Sequence, residues 1–244
     1  MRAIAVVRAL GPIDLKSVQR DPLLRWMVAL PLGLALLFRF GIPPLGAWLE
    51  SRFGMDLAPH MPLVASFLLL GIPMLFGAVI GFLLLDEKDD HTLVALQVTP
   101  LSTADYLAYR TAVPTLLAVG TTLVAMPLSG TLTVGPGALL ASAVAAAPMA
   151  PAFALFVAAF ARNKVQGFAL LKAAGTVNWP PTIAWFVAAE WQWAFGLCPT
   201  YWPAKLYWQL AGDGAHVGTV FLAGVAYWLL LLGWLLRRFD RVTH

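Results

Sequence analysis

Met61-Pro-Leu-Val-Ala-Ser-Phe-Leu-Leu-Leu-Gly-Ile-Pro-Met-Leu-Phe-Gly-Ala-Val-Ile-Gly-Phe-Leu-Leu-Leu85 runs for 25 residues without a charged side chain. As an α-helix it is about 37 Å long at 1.5 Å per residue, enough to cross a hydrocarbon core of about 30 Å with some tilt. The whole chain has the same character: 60% of its 244 residues are hydrophobic and 11% are charged. A soluble domain carries about 25% charged residues. Most of this protein's surface therefore does not face water, and the reading is an all-α integral membrane protein.

Working outward from that stretch, Thr111 to Ala161 has no charge over 51 residues. One helix cannot use that length, and its middle, Leu128 to Gly137, is rich in Gly, Pro and Ser, so two spans joined by a hairpin are expected. Residues 217–236 form another clean span. Residues 23–45 contain Arg25 and Arg39, and residues 168–189 contain Lys172. Basic side chains near a helix end reach back to the headgroups and do not veto a span. The expectation is one transmembrane domain over residues 1–244 with six spans at 23–45, 61–85, 107–128, 138–161, 168–189 and 217–236.

Lys and Arg orient it. With the N-terminus inside, thirteen basic residues fall on the cytoplasmic side and three, Arg39, Arg52 and Lys205, outside. That bias places both termini in the cytoplasm. Residues 1–21 intersperse basic positions with Val6, Val7, Leu10 and Ile13, an uncleaved amphipathic segment along the inner interface, broken in two at Gly11-Pro12. Asp21-Pro22 fits an N-cap followed by proline at the first helical position. Trp179, Trp185, Trp191, Trp193, Trp202 and Trp208 lie in or just after the fifth span, and the later ones read as an outer interfacial belt. Small residues of the fourth span (Ala141, Ser142, Ala145, Ala146, Ala147) permit close packing, within one subunit or between two.

Several chemistries are argued against. The single cysteine, Cys198, allows no internal disulfide, and the four histidines share no metal-ligand spacing. The net charge of +4 flanks membrane spans and faces anionic lipid, so no nucleic-acid partner is expected. There is no Gly-Lys dipeptide and hence no Walker A loop. The chain is not expected to be an ATPase, and no cofactor is expected in it. The acidic run Asp86-Glu-Lys-Asp-Asp90 admits an enzymatic alternative, a prenyltransferase-like Mg²⁺ site built on Asp86, Asp89 and Asp90. Such enzymes carry two facing motifs, and this chain has one. Lys172, Asn178 and Trp179 are the polar candidates for a substrate path through the fifth span, with Asn178-Trp-Pro-Pro181 marking a kink or a cavity wall.

The stretch from Leu85 through Asp86-Glu-Lys-Asp-Asp-His-Thr-Leu-Val-Ala-Leu-Gln-Val-Thr-Pro-Leu-Ser-Thr-Ala-Asp-Tyr-Leu107 resembles the pattern of ABC-2-type transporter permeases. Glu87, Thr92, Leu93, Leu96, Thr99, Pro100, Leu101, Ser102 and Tyr106 occupy that family's acidic, Thr-Leu, apolar, Thr-Pro-Leu-Ser and aromatic places. Arg20-Asp-Pro-Leu-Leu24 and Pro199-x-Tyr-Trp-Pro203 resemble its entries to the first and last spans. His91 stands where the family often has glycine. The chain looks most like small drug-export permeases, mycobacterial fluoroquinolone exporters among them. The resemblance implies a multi-pass permease subunit in a bacterial inner membrane. A second permease copy and separately encoded ABC ATPase subunits, which bind the ATP and Mg²⁺, complete the exporter. It also implies a coupling helix between spans two and three, carried by Glu87, Thr92, Leu93, Leu96, Thr99 and Pro100, and short re-entrant helices within 191–213. Lipid, polysaccharide and haem-maturation cargo are the alternatives to a drug-like amphiphile.

Overall fold

The computed structural model describes residues 2–89, 103–212, 214 and 216–243. Among them there are ten α-helices, three short 3₁₀ turns and no strand. The helices are α1 (Arg2–Arg20), α2 (Pro22–Phe53), α3 (Met61–Asp89), α4 (Thr103–Leu128), α5 (Pro136–Ala146), α6 (Met149–Phe160), α7 (Lys164–Gly175), α8 (Trp179–Trp185), α9 (Tyr201–Ala211) and α10 (Val217–Thr243). Five helical segments are long and apolar enough to cross a membrane: 22–53, 58–89, 105–128, 136–160 and 217–238.

The protein is built around α3. It packs against α2, α4, α6 and α9, and its longest contact is with α6. Burial divides the spans: 83% of the most apolar part of the α3 segment is inside the protein and 78% of the α5–α6 segment, against 11% for α2, 28% for α4 and 22% for α10. The α3–α6 contact is close because small residues meet there. Gly77 and Gly81 are one turn apart on α3, and a Cβ at Gly77 would lie 2.5 Å from the Ala150 carbonyl oxygen and 2.7 Å from Phe153 Cβ. A Cβ at Gly81 would lie 3.0 Å from Val157 Cβ. This is the small-x-x-x-small geometry that lets membrane helices bring their backbones together. Ser142, Ala145, Ala146 and Ala147 are likewise buried within the subunit.

Several boundaries differ from those expected, for local reasons. α1 is one helix with Pro12 inside it, so Gly11-Pro12 does not divide it. An interior proline removes one amide donor and crowds the carbonyl four residues before it, and here the helix continues on both sides of Pro12. α2 starts where expected: the Asp21 carboxylate accepts from the Leu23 and Leu24 amides at 2.9 and 3.4 Å, and Pro22 holds the first position. It continues past 45, through Pro43 and Pro44, to a left-handed Gly54 that returns its amide to Glu50. The fourth span is two helices, α5 and α6, joined at Ala147-Pro148.

The fifth expected span is interrupted. α7 and α8 are separated by a 3₁₀ turn, Thr176–Asn178. Pro181 has no amide to offer the Val177 carbonyl four residues before it. That carbonyl instead accepts from the Thr200 hydroxyl and, at 3.2 Å, from the Cys198 thiol. Between α8 and α10 lie a 3₁₀ turn, Gln192–Leu197, and α9. α9 buries Tyr201, Leu206 and Tyr207, and Trp208 beside them donates to Ser66 at 2.6 Å. Of the expected outer belt, Trp191 is well exposed while Trp208 is core, stacked edge-on against Trp185.

Candidate functional site

Tyr106, Tyr109 and Arg110 follow one another at intervals of three and one on α4, so they share a face one turn deep. Arg110 is buried, its side chain 1% exposed. A guanidinium presents five donors in a fixed fork and is tolerated in an interior only when acceptors surround it. Nη1 bonds Asp14 Oδ2 of α1 at 2.8 Å. Nη2 bonds Glu87 of α3. Nε bonds the Tyr106 hydroxyl at 3.3 Å. Tyr106 donates in turn to Glu87 Oε2 at 2.5 Å, and Tyr109 to Asp14 Oδ2 at 2.8 Å. The guanidinium carbon lies 5.4 and 5.5 Å from the two ring centroids. One arginine thus ties α1, α3 and α4 together.

A second ionic group lies at the same end of α3. Lys164 Nζ bonds Asp21 at 2.8 Å and Asp86 at 2.9 Å, joining the start of α2, the end of α3 and the start of α7. The hydrogen bond from Lys164 outweighs burial and, with the Leu24 and Leu23 amides, holds the Asp21 carboxyl below its ordinary range. Asp86 is engaged by Lys164, Asp89 is exposed and Asp90 lies outside the described residues. Among the described residues no group of three His, Cys, Asp or Glu side chains is placed to hold a metal ion.

A groove of about 680 Å³, open on its outer side, runs from this end along α1, α2, α3 and α4, and Leu15, Leu32, Leu117 and Val124 of its lining are exposed. Asp14 and Tyr109 belong to both the ionic cluster and the groove lining. The remaining lining is almost wholly apolar, with Phe76, Ile80 and Val113 typical of it.

Of the residues expected at the coupling site, Glu87 is in the Arg110 cluster. Thr92, Leu93, Leu96, Thr99 and Pro100 lie outside the described residues. The expected path residues are not brought together at this groove. Lys172 and Trp179 are exposed. Asn178 sits in the turn between α7 and α8, its Nδ2 3.7 Å from Met74 Sδ. Its Oδ1 is buried without a partner among the described residues. Asp14, Tyr109 and Arg110 were not singled out by sequence. Arg110 counts there only as one of the inner basic residues. The available signal was a charge placed beyond the first turn of a span, flanked by two tyrosines on one helix face.

Comparison with known proteins bears on this arrangement. Fluoroquinolones export permease protein Rv2686c of Mycobacterium tuberculosis (strain H37Rv) is 34% identical over 259 residues, covering 100% of both chains. MT2760 of strain CDC 1551, of the same description, matches to the same extent. The model of the family described as "Fluoroquinolones export permease protein Rv2686c-like" matches residues 14–236. The chain belongs to that family. No solved structure matches. The Rv2686c-like region begins at Asp14 and contains every residue of the Arg110 cluster. This Rv2686c-like permease is thus a multi-pass membrane protein, in agreement with the ABC-2-type resemblance of its 85–107 stretch.

Proposed function

We propose that this chain is the membrane-spanning subunit of an ATP-driven ABC exporter that moves a drug-like amphiphile of the fluoroquinolone kind out across a bacterial cytoplasmic membrane. The observation that carries the reading is the full-length match to permeases named for fluoroquinolone export. The geometry fits it. Residues 90–102 connect α3 to α4, and the two helix ends that flank them are bonded to each other through Glu87, Tyr106 and Arg110. A load applied to that connection by a cytoplasmic partner is delivered to α1, α3 and α4 together. The transport step then needs two states of these helices that the ATP-bound and ATP-free partner favour differently. ATP and Mg²⁺ belong to that partner, and a second permease copy completes the pathway. Away from the groove, the apolar outward faces of α2, α4 and α10, with Trp26, Leu37, Leu116 and Leu230 exposed, are available to lipid and to that copy.

In this reading residues 164–185, α7 with the turn and α8, are the fifth of six crossings, and both termini are cytoplasmic, as the Lys/Arg distribution favours. The turn Gln192–Leu197 and α9 re-enter from the outer face. Single cysteines at Arg52 and at Asp89, both exposed, test this in a chain with Cys198 replaced. An impermeant thiol reagent on intact cells is expected to label position 52 and spare 89. The opposite pattern inverts the topology.

The ATPase partnership is tested at Leu96. Leu93 and Leu96 are three apart, so as helix they share a face, and burying two leucines against a partner contributes roughly 3–6 kcal/mol before association costs. Leu96→Asp is expected to lose ATPase co-purification and drug export while the chain still inserts in the membrane. Full ATPase retention together with full export would remove the coupling assignment.

A further inference from the structure

The 680 Å³ groove has a size typical of sites for drug-sized molecules, and its polarity is one-sided. At one end stands Asp14. Both hydrogen bonds to its carboxylate, from Tyr109 and Arg110, go to Oδ2. Among the described residues none bonds Oδ1, and the side chain is 15% exposed. The described cluster sets two carboxylates, Asp14 and Glu87, against one guanidinium. Of the other basic residues of α1, Arg8, Lys16 and Arg20 are exposed. A carboxylate oxygen left open at the end of an apolar groove is an acceptor whose attraction for a cation is strengthened by the apolar surface beside it. Further along the groove the lining is apolar but for Thr121, and at the exposed Gly120 a Cβ would meet nothing within 4 Å.

We propose that this groove is a binding site for cationic amphiphiles, with the apolar body between α3 and α4 and a protonated amine on the Asp14 carboxylate. The proposal deepens the export reading and rests on it for the consequence of binding. Because Asp14 also holds Arg110, an occupant at Oδ1 touches the cluster that joins the three helices.

The test uses the full-length chain in lipid nanodiscs and three fluorescent probes: norfloxacin, with a basic piperazine; its N-acetyl analogue, without the basic amine; and rhodamine 6G, a cation of unrelated scaffold. Wild type is expected to bind norfloxacin, through its protonated piperazine, and rhodamine 6G, and to bind the N-acetyl analogue at least tenfold more weakly. Asp14→Asn keeps the size of the side chain and an acceptor for Tyr109. It should weaken norfloxacin and rhodamine 6G at least tenfold and should not weaken the analogue. Gly120→Phe, which enters open space and leaves the ionic cluster intact, should weaken all three, so the test survives a disturbed fold in Asp14→Asn. Equal binding of norfloxacin and its analogue, wild-type binding by Asp14→Asn, or wild-type binding by Gly120→Phe overturns the proposal. So does absence of probe binding with a co-purified phospholipid that Gly120→Phe releases. Quinolone export measured in cells separates the two readings. Rhodamine 6G binding with the expected variant pattern, but no quinolone export, leaves the site standing and removes the export reading. Export unaffected by either variant does the reverse.

Discussion

Arg110→Met is expected to destabilise the protein by about 3–5 kcal/mol, the cost of removing one partner from a buried ion pair, and to abolish export. The substitution preserves most of the volume. What it removes is the only described cation bonded to Asp14 and Glu87, leaving two carboxylates in a pocket lined by Tyr106 and Tyr109. Arg110→Lys should fall between, because a point charge cannot address Asp14, Glu87 and Tyr106 at once. The triple change Asp14→Asn, Glu87→Gln, Arg110→Met removes the charges together and should recover much of the stability without recovering export. Thermal unfolding followed by tryptophan fluorescence, beside a quinolone efflux assay, reads both effects. A methionine variant that melts with wild type would mean that the cluster contributes no net stability.

Gly77→Ala is expected to destabilise by about 1–3 kcal/mol, the usual range for overpacking, although alanine is the better helix former by up to about 1 kcal/mol. Close approach decides the sign. The new methyl meets the Ala150 carbonyl oxygen at 2.5 Å and Phe153 Cβ at 2.7 Å, and neither atom can turn aside as the end of a flexible side chain can. α3 and α6 must separate, and Gly77→Leu should prevent a monodisperse product altogether. Gly71 lies on the same helix with nothing within 4 Å of its Cβ position. Gly71→Ala should be neutral or slightly stabilising. Melting temperatures of the two alanine variants are therefore expected to move apart, and a common shift would refute the close α3–α6 contact.

The parts of the fold that were legible in the sequence are those set by one-dimensional patterns. Long charge-free runs place the apolar helices, Asp21-Pro22 places the start of α2, and Asn178-Trp-Pro-Pro181 places the break between α7 and α8. Where pairing between distant segments decides, the sequence alone was silent. The Gly77–Gly81 spacing lies inside the stretch that most clearly reads as a span, yet hydropathy counts glycine as filler and says nothing of which helix it meets. The small residues of 141–147 left packing within or between subunits open, and the structure buries Ser142, Ala145, Ala146 and Ala147, though not Ala141, inside one. Asp14 and Arg110 are 96 residues apart in the chain, and each alone looks like an ordinary charge near an interface. Glu87 was picked out through family resemblance, and only the structure joins it to α1.

The uneven burial of the long helices divides the chain by how freely it can drift between lineages. Hydrocarbon tails are as apolar as leucine and nearly indifferent to which apolar side chain they meet. An exchange of leucine for phenylalanine on the outward face of α2 leaves its surroundings unchanged. Along α3 and α6 a change in size has to be answered on the facing helix, because the space between them is already filled by backbone. Divergence to the point at which about two thirds of aligned positions differ from the mycobacterial relatives is open to the outer helices one residue at a time, and to the inner pair only by matched substitutions.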